Sequence, residues 1–193
     1  MRAPIGDFTA AWPVAEKLGL LAPPVADALR GPVSAQGVVY VDSDPEDADT
    51  ARFGEVHGIP PEQSANCVVV AGRRGPETTL AACVVLAHTR ADVNRLVRRE
   101  LGARKASFAP VETAVEASGM EYGGITPVGL PGNWPLLVDA AAAGAAYVVV
   151  GSGRRRGKLL VPGGLLARLP GARVLEGLGL PADRGDSPPP GGR

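Results

Sequence analysis

The chain has little of what metal, disulfide and membrane proteins are built from. Only two cysteines and two histidines occur in 193 residues. Cys67 and Cys83 each lie inside an apolar run, neither belongs to a CxxC, and they read as core thiols on strands. His57 and His88 are too far apart in sequence for a recognisable zinc motif, so no metal site is expected. No apolar run approaches the roughly 18 to 20 residues a membrane helix needs. The best, 68–71 and 147–150, are strand-length. Residues 1–7 carry a charge but no apolar core, so no secretory signal is read there, and a cytoplasmic protein with no membrane partner is expected. Net charge is lacking too: 20 basic residues balance 20 acidic ones. That argues against coating nucleic acid electrostatically, although a local basic patch can still grip a few phosphates. Lysine is scarce, with Lys17, Lys105 and Lys158 alone among mostly arginine, which reads first as coding bias.

What the chain does have is glycine and proline, 26 and 19 residues, and an apolar fraction of 45%. A chain of this length buries most of its apolar surface without staples, and the breakers imply many loops. Residues 1–35 show two helical patterns, 12–21 and 25–30, the second after Pro23-Pro24, and read as an N-terminal helical extension. A short β-branched run, 37–41, leads to Asp42-Ser43-Asp44-Pro45, a helix start, and the helix should run to about His57. Segments 65–71 and 79–87 read as a β-hairpin. A helix over 91–101 has Val93, Leu96, Val97 and Leu101 on one face. A strand at 105–108, a helix at 111–118 and an irregular glycine- and proline-rich segment at 119–135 follow. Strands at 136–138, 147–150 and 158–161 and a helix near 164–169 complete a domain taken as 36–176. Residues 181–193, rich in proline and glycine, read as a disordered tail. Irregular alternation with hairpins predicts an α+β fold with a mixed sheet rather than a regular βαβ array.

The segment from Gly123 to Gly132 mixes residues that permit unusual backbone angles with residues that freeze them. Such a loop can aim two or three N–H groups at one point, to bind a phosphate or a carbonyl turning into an oxyanion. Taken alone it reads first as a tight connection, because glycine loops are common and this one matches neither the P-loop nor the dinucleotide fingerprint and names no cofactor. No Ser/His/Asp or Cys/His constellation accompanies it.

Five features in order resemble the YbaK/EbsC family, the editing domain associated with prolyl-tRNA synthetase. They are Gly58-Ile59-Pro60-Pro61-Glu62-Gln63; Leu101-Gly102-Ala103-Arg104-Lys105 with Phe108-Ala109; Gly119 to Gly129, similar to the family's Gly-Gly-Ile-Ser-Pro-x-Gly; Leu137-Val138-Asp139; and the basic turn Gly151 to Gly157. Together they span about 45–170. The resemblance implies a mixed β-sheet or barrel surrounded by short helices, and trans-editing: hydrolysis of the ester joining a wrong amino acid to the terminal ribose of a tRNA. It also implies catalysis without metal, cofactor or covalent nucleophile, by positioning water and stabilising the oxyanion, with the neighbouring ribose hydroxyl assisting.

On that resemblance Gly123, Gly124, Ile125, Thr126 and Pro127 form the loop that positions the carbonyl and terminal adenosine, with Thr126 replacing the usual serine. Asp139 is expected either to orient substrate or backbone beside it, or only to cap the Ala-rich turn that follows. Asn66 stands where the family carries a lysine, and it cannot pair electrostatically with a phosphate. Three readings stay open: a deacylase that manages with Asn66, another basic residue in its place, with Lys105 as candidate, or a binder of aminoacyl-tRNA, amino acid or protein that has lost catalysis. Arg154, Arg155, Arg156 and Lys158 are expected either to contact acceptor-stem phosphates or to form a solvated hairpin tip, Arg73 and Arg74 repeat that choice, and Lys105 is a further candidate for tRNA contact or a solvated strand edge. The expected partners are the acceptor end of a mischarged tRNA and a synthetase. The extension at 1–35 is a further candidate for docking a protein.

Overall fold

The computed structural model describes residues 1–31 and 33–182. The element order is β1 (Ala11–Pro13), α1 (Pro23–Arg30), β2 (Val39–Val41), α2 (Thr50–His57), β3 (Ala65–Arg74), β4 (Glu77–Leu86), β5 (Thr89–Ala91), α3 (Arg98–Glu100), β6 (Lys105–Phe108), α4 (Val111–Ser118), β7 (Leu136–Asp139), α5 (Ala140–Gly144), β8 (Val148–Gly151), β9 (Lys158–Val161), α6 (Gly163–Leu166), β10 (Ala172–Leu175) and β11 (Gly179–Pro181). A five-stranded sheet runs β10-β7-β4-β3-β6, a four-stranded sheet β1-β2-β9-β8, and β11 pairs with β5. β7 lies parallel to both β4 and β10 while the other ladders are antiparallel, so the sheet is mixed, as the irregular alternation implied. The sheets are open. The closed-barrel alternative is not what forms.

The central hairpin explains the architecture. β3 and β4 read as near-continuous β-branched runs because both faces are covered: Cys67 and Val69 join one core cluster, Val68 and Val70 the other. The first cluster gathers Val25, Leu29, Tyr40, Val84, Trp134, Leu136, Val150 and Leu159 between the two larger sheets. A third, smaller cluster packs Phe53 and Ile59 against Val41 and Leu160. Both cysteines are free, and burial pushes the Cys83 thiol up to about 12 and raises that of Cys67 as well, so neither is a reactive thiolate.

The structure corrects several expectations. The hairpin strands continue past the apolar segments to a two-residue turn at Gly75-Pro76, because the ladder from Gly72↔Thr79 to Arg74↔Glu77 persists where the side chains become polar. Residues 12–21 are not one helix. They form β1, paired with β2, and two short 3-10 turns, Val14–Glu16 and Leu18–Leu20. Within residues 1–35, Val14, Val25 and Leu29 belong to the main core cluster. The helix expected from Pro45 is split into a 3-10 turn, Pro45–Asp47, and α2, which Asp49 caps by accepting from Ala51 and Arg52 N–H. The 91–101 segment is a π turn, Val93–Val97, running into α3. Beyond the expected domain end at 176, Leu178 is fully buried and β11 includes Pro181. The rest of the expected tail, 183–193, lies outside the described residues.

Candidate active site: a glycine loop pinned to a basic turn

After α4 the chain enters the loop and is held against the turn between β8 and β9. Glu121 N–H donates to the Gly153 carbonyl at 2.8 Å, and Gly153 N–H donates back to the Gly124 carbonyl at 2.8 Å. The Glu121 carboxylate accepts from Arg155 N–H at 2.8 Å. Gly124 must be glycine for space: a Cβ there would collide with the Arg154 backbone. Gly123 must be glycine for conformation, with φ at +80°. Within the turn, buried Ser152 acts as a clasp, its hydroxyl lying 3.2 Å and 3.0 Å from the Arg154 and Arg156 carbonyls and 3.3 Å from Arg154 N.

This packing decides which amides are available. Gly124 N–H donates to the Glu121 carbonyl at 2.9 Å, and Thr126 N–H points at Met120 Sδ at 3.4 Å. Among the described residues the N–H groups of Gly123 and Ile125 have no hydrogen-bond partner. Pro127 has no N–H, and it and Thr126 are buried. Thr126 Oγ1 is also without a partner among the described residues, an unspent hydroxyl in a fully buried side chain.

Beneath the loop lies a lysine that the sequence left as either a phosphate contact or part of a solvated tip. Lys158 opens β9 and is only 5% exposed. Its Nζ donates to the Ala48 carbonyl at 2.7 Å and reaches the Gly123 carbonyl at 3.5 Å, with the Phe53 ring 5.7 Å away. Burial pulls its pKa down to about 8; Arg155 adds to the shift and Asp49 opposes it. The signal in the sequence was period-two alternation: Lys158 is in phase with Leu160, which packs with Phe53.

Asn66, at the start of β3, accepts from Thr50 Oγ1 at 2.7 Å. Thr50 begins α2, two residues after the Ala48 carbonyl that holds Lys158. Asn66, Thr50, Ala48, Lys158 and Gly123 therefore form one connected group. Asp139 is not tied to it: its carboxylate caps α5 by accepting from Ala141 N–H at 3.3 Å, and also accepts from Gly179 N–H of β11 at 3.0 Å. Lys105 sits on the edge strand β6 opposite Arg73, seven positions along β3 from Asn66. The arginines of the turn are exposed but engaged. Arg154 Nε donates to the Leu21 carbonyl, Arg155 to the Pro45 carbonyl, and Arg156 grips Asp42 through two bonds of 2.8 and 2.6 Å. The Arg156 hydrogen bonds hold the Asp42 carboxyl below the usual carboxylate range, against the upward push of burial.

The sequence profile of the aminoacyl-tRNA editing domain matches residues 44–169, about two thirds of the chain, including Asn66, the glycine loop, the basic turn and Lys158. The chain belongs to the aminoacyl-tRNA editing domain family. Three solved structures share the fold of this editing domain. One, described as "a putative trans-editing enzyme for prolyl tRNA synthetase", is 22% identical, with a TM-score of 0.68 over 80% of this chain and 94% of that one. A hypothetical protein is 23% identical, with a TM-score of 0.61 over 69% and 85% of the two chains. A scaffold from epitope backbone grafting is 22% identical, with a TM-score of 0.67 over 80% and 95%. No helix among the described residues of the editing domain is long and apolar enough to cross a membrane.

Proposed function

We propose that this editing domain is a deacylase that works free of a synthetase, hydrolysing the ester that links a mischarged small amino acid to the terminal ribose of a tRNA. The observation that carries the reading is the pinned loop, with the Gly123 and Ile125 amides unspent and a buried ammonium on the Gly123 carbonyl. Amides of residues i and i+2 can converge on one oxygen. Placed against the ester carbonyl they would stabilise the charge that develops as water adds to the acyl carbon. The carbon–oxygen bond to the ribose then breaks and the ribose oxygen takes up a proton. An aminoacyl ester is already activated, so positioning and electrostatics suffice without a covalent nucleophile.

The second reading, a binding module without turnover, is favoured by one residue, the neutral Asn66 bonded to Thr50. Release of amino acid from a panel of mischarged tRNAs separates the two. The deacylase reading expects turnover by the wild type on at least one substrate and a loss of about tenfold or more in Gly123→Ala, where a side chain at φ +80° costs roughly 1–3 kcal/mol. Asn66→Lys should retain or raise the rate. Bound tRNA with no release from any substrate would establish the binding module instead.

A further inference from the structure

The cations of the turn from Arg154 to Lys158 are engaged by carbonyls and Asp42, whereas a second set, gathered from distant parts of the chain, is in no salt bridge among the described residues. A cleft of about 390 Å³ lies along the edge strand β6, lined by Arg73, Arg98, Arg104 and Lys105 together with the polar side chains of Asn94 and Ser107. No carboxylate lines it. All four cations are exposed, and among the described residues none is in a salt bridge. A neighbouring cleft differs: there Arg95, Arg98 and Arg99 face Asp92 and Glu176, so it carries both signs.

The placement is fixed by backbone. Arg73 and Lys105 are directly opposite partners in the β3–β6 ladder, and Arg104 N–H donates to the Arg73 carbonyl at 2.8 Å. Like charges directly opposite on a ladder are destabilising. Here that cost is compounded by two more arginines in the same concavity, in a chain of zero net charge. Such a cleft favours a polyanion, and hydroxyl and amide groups among the cations suit phosphate and sugar oxygens. Phe108, 59% exposed at the end of β6, adds an aromatic face on which an unpaired base can stack.

We propose that this cleft is the docking surface for the RNA strand, remote from the ester site. Seven residues of β3 separate Arg73 from Asn66, about 23 Å at about 3.3 Å per residue. The cleft therefore engages phosphates well away from the terminal ribose rather than the ester itself. The proposal deepens the deacylase reading by assigning its substrate's backbone a surface, and it is tested by binding alone, so that failure of hydrolysis and failure of the cleft are separate results.

The experiment measures binding of uncharged tRNA and of a short 3′-terminal oligonucleotide against salt concentration. It compares the wild type with Arg98→Gln/Arg104→Gln/Lys105→Gln and with Arg154→Gln/Arg155→Gln. The cleft variant should weaken tRNA binding more than tenfold and flatten the salt dependence by up to about one unit of slope for each phosphate no longer engaged. It should also erase most of the advantage of whole tRNA over the oligonucleotide, while the turn variant keeps most of it. Circular dichroism shows whether each variant is folded, and Lys105→Gln alone provides a milder version with a proportionally smaller effect. A folded cleft variant that binds tRNA like the wild type overturns the proposal, as does a wild type that binds an acidic protein or peptide but no RNA.

Discussion

Lys158 is the residue on which the site turns. In one dimension it ends a basic turn, and in three it is a buried ammonium tethering the Ala48 and Gly123 carbonyls. Lys158→Met should lower the deacylation kcat about tenfold, equivalent to roughly 1.4 kcal/mol in the barrier, with a smaller effect on KM. The pH dependence has a definite sign. The folded pKa, about 8, lies below the ordinary lysine value of 10.5, so between those limits the unfolded chain holds more protons. Relative to Lys158→Met, the wild type should gain stability as pH rises from 8 to 10.5, by an amount on the order of 3 kcal/mol. Activity should move the opposite way, falling above pH 8 as the ammonium is lost. Chemical denaturation of both proteins across that range checks the first statement, and a pH–rate profile the second. Legibility at this scale was uneven. Gly123 and Pro127 could be read because glycine and proline announce backbone demands, and Asn66 because a substitution stands out in a resemblance. Which loop amides are free was not readable, since it depends on the Glu121 and Gly153 carbonyls and on Met120 Sδ.

The decisive element is the turn between β8 and β9, which serves as the anvil for the glycine loop. Its conformation rests on Ser152, whose hydroxyl meets two carbonyls and one amide inside the turn. Ser152→Ala should destabilise the fold by about 1 kcal/mol and, by loosening residues 153–155, reduce deacylation more than that loss of stability alone explains. Thermal unfolding paired with rate measurements on the fully folded protein distinguishes the two effects. Strands with continuous apolar runs, such as β3, β4, β8 and β9, were legible from the sequence because double burial removes polar interruptions. β1 was not: the apolar residues of 12–21 were read as a helical pattern, yet the β1–β2 ladder takes Ala11–Pro13 as a strand. Nor was β11, whose pairing with β5 spans about 90 residues and leaves no local pattern.

Over the whole molecule, charge is sorted into two regimes that a net charge of zero conceals. Near the loop, cations are bound to carbonyls and to Asp42, and they build the site. Along β6 they are exposed and free of carboxylates in their cleft, so they are available to a ligand. Sequence clustering pointed to Arg154–Lys158 and to Arg73 with Arg74 alike, because clustering along the chain says nothing about which heads are already engaged. The α+β class and the mixed sheet followed from element order, whereas open sheets in place of a barrel depend on edges that only tertiary pairing defines.

In the proposed reaction the Gly123 and Ile125 amides, held by the turn beneath them, receive the acyl oxygen. Amide chemical shifts recorded while a non-hydrolysable 3′-aminoacyl-adenosine analogue is added test this contact. Large shifts are expected at Gly123 and Ile125 and a small one at Gly124, whose N–H is already committed to the Glu121 carbonyl. Saturable binding of the analogue that leaves the Gly123 and Ile125 resonances unmoved would contradict it.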